Sequence, residues 1–134
     1  MEEALHVVKK YWGYDEFRTP QQEIIASILE QKDTMALLPT GGGKSICYQI
    51  PMLMQDGIGL VISPLIALME DQVNQLKNRN IKAIALTGTS YQEDINDLLD
   101  NCSFGNYKLL YISPERLQQE WIFERIIQLP ISLI

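Results

Sequence analysis

Gly41, Gly42, Gly43, Lys44 and Ser45 are the residues of this sequence whose types and spacing point most directly to chemistry. Successive glycines let backbone N–H groups converge on an anion with no Cβ in the way, and they tolerate positive φ. A helix opening at Lys44 adds unpaired N–H groups and the positive end of its dipole. In that setting the Lys44 ammonium reaches the β and γ phosphates of a nucleotide and the Ser45 hydroxyl ligates Mg2+. The strict pattern G-x-x-x-x-G-K-[ST] asks for glycine where this chain has Leu38. The residues alone therefore fit two readings, a phosphate site and a plain glycine-rich turn between a strand and a helix.

Either reading needs elements to hold the loop. Residues 5–12 are spaced as a short helix, with Leu5, Val8, Tyr11 and Trp12 on one side and Gly13 as its stop. Thr19, Pro20 and Gln22 form a capping box for a helix whose stripe is Ile24, Ile25, Ile28 and Leu29. Residues 34–38 are expected to be a strand feeding the glycine loop, and the helix from Lys44 is expected to reach about Pro51. Strand and helix signals then alternate, with strands at 58–63, 81–86, 107–112 and 131–134. The helix after Pro64 carries Leu65, Leu68, Met69, Val73 and Leu76. A second capping box, Ser90 to Glu93, opens a helix with Tyr91, Ile95, Leu98, Leu99 and Cys102 on its buried face. Short helices follow at Ser113-Pro114 and over 121–128. This alternation predicts an α/β fold, a parallel sheet with helices on both faces. Ligands of such sheets lie beyond the carboxyl ends of the strands.

Composition narrows the function classes. The 134 residues carry a net charge of −6, so no broad basic surface holds nucleic acid by counterion release, and any such contact must be local. Cys47 and Cys102 form no C-x-x-C pair, which points to neither a zinc site nor a disulfide framework. His6 is the only histidine, leaving no His-based metal dyad or Ser-His-Asp triad. No secretory leader pattern is present, and no apolar run approaches the ~20 residues that span a bilayer. A soluble protein of a reducing, intracellular compartment is expected.

Four ordered blocks together resemble the N-terminal part of a RecQ-type DNA helicase of superfamily 2. They are WGYDEFRTPQ at 12–21, LPTGGGKSICYQIP at 38–51, VISPLIALMEDQV at 61–73 and LLYISPERL at 109–117. Helicases of this superfamily replace the first P-loop glycine, which accommodates Leu38. Trp12 stands where the family usually has phenylalanine. The resemblance implies a P-loop NTPase (RecA-like) fold and ATP and Mg2+ as cofactors. It assigns Thr40, Gly41, Gly42, Gly43, Lys44 and Ser45 to the triphosphate and its metal, with Lys44 catalytic and Ser45 on Mg2+.

By position, Tyr14, Arg18 and Gln21 resemble the family's adenine-recognition group. An aromatic face stacks on a purine, a glutamine amide pairs with a donor and an acceptor, and guanidinium stacks or hydrogen-bonds. By residue type alone, Tyr14 and Phe17 also fit a core and Gln21 a first helical turn. Ser63-Pro64 and Ser113-Pro114 resemble segments on the family's DNA-binding face, and both also suit helix caps. Asp71 and Gln72 fit an ATP-to-DNA coupling surface and a solvated helix face equally.

In the family, the strand resembling 131–134 leads into an Asp-Glu-Ala-His segment, before which this sequence stops. The expected organisation is thus residues 1–33 as a helical adenine-recognition segment and 34–134 as a P-loop core. The 134 residues alone are expected to be catalytically silent and prone to self-associate. The resemblance implies, for a parent protein, ATP-driven 3′–5′ unwinding of DNA, single-stranded or partly duplex, in repair or recombination. Its expected location is the cytoplasm, at the nucleoid in a bacterium. The alternatives are an RNA helicase of the DEAD-box type and a non-catalytic nucleotide-binding module.

Overall fold

The computed structural model describes residues 1–38, 43–87 and 91–134. The described chain forms two compact units, Met1–Asp56 and Gly57–Ile134.

The first unit holds three helices, α1 (Glu2–Trp12), α2 (Gln21–Leu29) and α3 (Lys44–Met54). In α1, Glu2 and Glu3 lie in the first turn and Lys9 and Lys10 in the last, the arrangement that suits a helix dipole. Gly13 stops it as expected, with φ 76° and its N–H on the Lys9 carbonyl at 3.1 Å. The unit's core is Ala4, Val8, Ile25, Ile46 and Ile50, with Val7, Trp12, Phe17, Leu29 and Met54 packed around it. Leu5, expected inside, is instead exposed, because Ala4 and Val8 set the inward side of α1.

Two local expectations for this unit fail. The capping box at Thr19 does not form. Pro20, after a cis Thr19-Pro20 bond, occupies the N-cap of α2, and the Gln21 N–H is satisfied by the Arg18 carbonyl at 2.6 Å. Residues 34–38 form no strand. Met35 and Leu37 are almost fully exposed, and Met, Ala and Leu have little of the β-branched character that favours strands. Thr34 is held locally, its hydroxyl bonding Ser27 Oγ at 2.8 Å and the Lys32 carbonyl at 2.9 Å.

The second unit is an α/β layer. Its strands β1 (Ile58–Ile62), β2 (Ala83–Leu86), β3 (Leu109–Ile112) and β4 (Ile131–Leu133) form a parallel sheet in the order β2-β3-β1-β4. All four residues of β3 are buried, as befits a strand with neighbours on both edges and cover on both faces. Alternation divides the sheet's two sides. Ile58, Leu60, Ile84, Leu86, Leu110 and Ile112 pack with α5 (Gln92–Phe104) and α7 (Glu120–Ile126) through Ile95, Leu99, Cys102, Ile122 and Ile126. Helix α4 (Ile66–Asn78) lies against β2 and β3 through a separate set of buried residues, Met69, Val73 and Leu76. The short α6 (Pro114–Leu117) follows β3. Gly57, at φ 100°, has no room for a side chain, since a Cβ there would run into the Pro130 backbone carbonyl.

Caps in this unit divide. Ser113 caps α6 as expected, accepting the Arg116 N–H at 3.3 Å with Pro114 just inside the helix. At Ser63-Pro64 the helix starts later, with Leu65 as N-cap of α4, and the Ser63 hydroxyl accepts the Leu65 N–H at 3.2 Å in a local turn. Leu65 and Leu68 are consequently exposed, not part of the core. For α5 the N-cap is Tyr91, exposed rather than buried, while the expected cap Ser90 lies outside the described residues.

Candidate nucleotide site

The loop between α1 and α2 and the start of α3 enclose a cavity of about 530 Å3, a size suited to a small ligand. Its walls are Gly13, Tyr14, Asp15, Glu16, Arg18, Gln21, Gly43 and Ile46. Three sequence-predicted residues, Tyr14, Arg18 and Gln21, therefore meet a fourth, Gly43, around one space. The left-handed Gly13 ends α1 and turns the chain so that residues 13–16 form the rim. Tyr14 is half exposed, so it is a wall rather than a core aromatic. An open aromatic face is what base stacking requires.

Gln21 is the buried member of the group, at 5 % exposure. Its Oε1 accepts the Arg18 N–H at 2.9 Å, and its Nε2 donates to the Gly43 carbonyl at 3.2 Å. The amide thus joins the loop between α1 and α2 to the start of α3. Gly43 sits at φ 70° as the N-cap of α3, and a Cβ on it would overlap the Gln21 amide. Only glycine satisfies both demands.

Lys44 and Ser45 follow in the first turn of α3, Lys44 exposed and Ser45 partly so, outside the cavity's lining set. Among the described residues no side chain caps α3, and the first N–H groups of a helix have no intrahelical carbonyl. Thr40, Gly41 and Gly42 lie outside the described residues. Beneath the loop, Cys47 is buried with its thiol 3.7 Å from the Gly43 carbonyl, and burial pushes its pKa up. A protonated, inert thiol belongs to packing.

Sequence reasoning missed Gly13, Asp15, Glu16 and Ile46 as cavity walls. Contiguity with Tyr14 was the available signal for the first three, and for Ile46 its place one turn into α3 was not enough. Among the described residues no cluster of His, Cys, Asp and Glu is arranged to hold a metal ion. The donor chemistry at hand for a cation is the Ser45 hydroxyl, a hard oxygen ligand that fits Mg2+ together with phosphate oxygens.

The second unit brings the two Ser-Pro segments together. Ile62 and Ile112 are in register in β1 and β3, and the Ser63 N–H donates to the Ile112 carbonyl at 3.1 Å. Ser63 and Ser113 thus stand side by side at the carboxyl edge of the sheet. Asp71 lies on α4, accepting from Gln75 at 3.1 Å, and the neighbouring Glu70 accepts from Thr87 at 3.0 Å. The expected polar face of α4 is therefore partly engaged within its own unit.

The chain is 49% identical over 125 residues to a probable ATP-dependent DNA helicase RecS of Bacillus subtilis, covering 92% of this chain and 25% of that protein. It is 44% identical over 133 residues to an ATP-dependent DNA helicase RecQ of Synechocystis, covering 99% of this chain and 27% of that one. The chain thus spans about a quarter of the length of these relatives. A crystal structure of a hypothetical ATP-dependent RNA helicase from Sulfolobus tokodaii superposes with a TM-score of 0.66 at 23% identity, over 93% of this chain and 38% of that one. That likeness concerns the fold, which is the α/β class expected from the alternating pattern. Among the described residues no helix is long and apolar enough to cross a membrane. Residues 18–130 match the DEAD/DEAH box helicase family, and the chain belongs to that family.

Proposed function

We propose that this chain is the ATP-binding part of the first motor domain of an ATP-dependent DNA helicase that moves 3′ to 5′. The observation that carries the reading is the cavity in which Tyr14, Arg18 and Gln21 meet Gly43. The base stacks on Tyr14 beside the Arg18 guanidinium and the Gln21 amide. The triphosphate lies along Thr40 to Ser45, with Lys44 on the β and γ phosphates and Ser45 on Mg2+. Phosphoryl transfer depends on positioning and charge stabilisation, and these residues supply the share that holds and neutralises the triphosphate. Mg2+ held at Ser45 would supply positive charge that offsets the charge of the triphosphate.

DNA is the proposed partner, because the relatives of 40–49% identity over most of the chain are DNA helicases by name. The partly exposed Ser63, beside Ser113 at the carboxyl edge of the sheet, supports a contact to phosphate, which positions a strand without reading its sequence. Repair and recombination are the proposed setting, in the cytoplasm and, in a bacterium, at the nucleoid.

The test uses the full-length protein that carries these residues. Mg-ATP binding, DNA-stimulated hydrolysis and unwinding of a duplex with a 3′ tail are expected, and all three are expected to fall at least tenfold in Lys44→Ala. Unwinding only from a 5′ tail, or stimulation by RNA and not DNA, would overturn the direction or the substrate. Hydrolysis unaffected by Lys44→Ala would overturn the site.

A further inference from the structure

Three hydroxyl residues stand one position beyond the last paired residues of three neighbouring strands. Leu86, Ile112 and Ile62 are in register across β2, β3 and β1, so Thr87, Ser113 and Ser63 follow one another along the carboxyl edge of the sheet. Thr87 and Ser63, with β3 between their strands, are about 10 Å apart at ordinary strand spacing. Their hydroxyl protons differ in use. Ser63 and Ser113 accept from the Leu65 and Arg116 N–H groups, bonds that take an oxygen lone pair and leave the proton for another acceptor. Thr87 instead donates, its Oγ1 lying 3.0 Å from Glu70 Oε1 on α4.

A phosphate oxygen only accepts, and a hydroxyl has one proton to give. While Glu70 holds that proton, Thr87 has none to offer a nucleic-acid backbone. We propose that Glu70 is a positioning residue that turns the Thr87 hydroxyl away from DNA, so that a phosphate is held at the Ser63 end of this edge and not at the Thr87 end. The proposal rests on the DNA reading above and adds to it an internal competitor for one donor. Three observations support it. Glu70 is exposed and Thr87 partly so, which puts their bond within reach of a strand on this edge. The bond joins the second turn of α4 to the end of β2, so regular elements carry both partners. The Glu70 carboxylate also sets a negative charge at the Thr87 end, where it opposes a phosphate at short range.

The effect of Glu70 divides into a charge and a hydrogen bond, and substitutions separate the two. Glu70→Gln removes the charge but keeps an oxygen that accepts from Thr87. Glu70→Ala removes both, and at an exposed helical position it favours the helix. Thr87→Val removes the hydroxyl at nearly constant shape, and Thr87→Ser keeps it. The probe is a single-stranded oligothymidylate, titrated by fluorescence anisotropy with the full-length protein at low and high salt. Each variant is first checked for a native thermal transition.

Glu70→Gln is expected to tighten DNA binding about twofold at low salt and less at high salt, because screening removes a charge effect. Glu70→Ala is expected to tighten it a further threefold to tenfold, roughly the worth of one new hydrogen bond. That further gain should persist at high salt, since a neutral hydroxyl releases no counterion. With Thr87→Val the two Glu70 variants are expected to bind alike, and with Thr87→Ser the difference between them is expected to return. Comparing Glu70→Gln with Glu70→Ala decides the matter even where Thr87→Val does not fold. Equal affinities of those two would overturn the proposal and leave the DNA reading standing. A difference that survives Thr87→Val would do the same, because the hydroxyl would then play no part. A full-length protein that binds no single-stranded DNA would overturn the DNA reading and the proposal with it.

Discussion

The Ser63 amide donates to the Ile112 carbonyl at 3.1 Å, one residue beyond the last paired position of β1 and β3. The two Ser-Pro segments leave the sheet together, yet their hydroxyls are employed differently. Ser113 is buried and caps α6, whereas Ser63 is partly exposed in a turn ahead of α4. Ser113→Ala is therefore expected to lower stability by ~1 kcal/mol, the usual cost of losing an N-cap, read from urea unfolding. Ser63→Ala is expected to leave the unfolding midpoint nearly unchanged and to weaken single-stranded DNA binding of the full-length protein about twofold to fivefold, as for one lost phosphate contact. Equal effects of both substitutions on DNA binding and stability would refute this division.

Gly13 and Gly43 share the left-handed conformation but differ in surroundings. A Cβ at Gly13 meets nothing within 4 Å, while one at Gly43 overlaps the Gln21 amide. Gly13→Ala should cost ~1 kcal/mol from backbone strain alone. Gly43→Ala should cost more, roughly 2–3 kcal/mol, because the overlap adds to the strain. Nucleotide affinity should fall sharply only for Gly43→Ala. Thermal unfolding and ATP titration of the two variants side by side check both parts.

Arg125 ties α7 to α5. Its guanidinium donates to Asn96 Oδ1 and to Asp100 Oδ1, each at 2.6 Å. Arg125 is mostly covered and Asp100 mostly exposed, so solvent screens the charge while packing of the Arg125 stem remains. Arg125→Ala is expected to destabilise by ~1–2 kcal/mol, and Asp100→Ala by ~0.5 kcal/mol. A double-mutant cycle of the pair measures the coupling. A larger loss for Asp100→Ala than for Arg125→Ala would contradict the geometry.

Burial pushes the Cys102 thiol up to about 11 from its ordinary 9.0. Below about pH 9 the thiol is protonated in both states and its contribution to stability is full. As pH rises from there towards 11 the unfolded chain releases its proton first, so stability falls by ~1–3 kcal/mol across that window. Cys102→Ala, less stable at neutral pH because of the cavity it leaves, should show a shallower decline in urea midpoint over the same range. Parallel declines in the two proteins would count against the assignment.

Much of the second unit was legible in the sequence because its strands are apolar runs bounded by glycine, proline or serine, and a strand buried on both faces announces itself that way. The expected runs 58–63 and 107–112 are such cases, and the structure trims them to Ile58–Ile62 and Leu109–Ile112. Ser113-Pro114 was legible for a similar reason, since cap chemistry is local. The start of α4 was not, because Pro64 can open a helix or precede one, and tertiary geometry chose the later start at Ile66. Residues 34–38 mislead for a different reason. An apolar run signals burial only if a partner surface is present, and Met35 and Leu37 stand in the open.

At the candidate site, residue types alone found Gly43, and the family resemblance singled out Tyr14, Arg18 and Gln21. Their convergence is long-range in sequence and could not be read from spacing. The bond between Gln21 and Gly43 joins positions twenty-two residues apart, and it depends on how α2 and α3 pack through Ile25, Ile46 and Ile50. Hydrophobic pattern predicts that two helices bury a face. It does not say which polar side chain will end up beside which carbonyl.

The strand order β2-β3-β1-β4 also bears on how the second unit comes into being. Strand β1 is synthesised first of the four, yet both of its neighbours, β3 and β4, come late in the chain. On the ribosome Ile58–Ile62 therefore waits with both edges unpaired while α4, β2 and α5 emerge, and pairing begins only when Leu109–Ile112 is free. Such non-local parallel pairing is slow, and the waiting strand is the segment of this unit most in need of a chaperone. Arrested nascent chains ending before Leu109 should expose β1 to protease, and those extending past Leu133 should protect it.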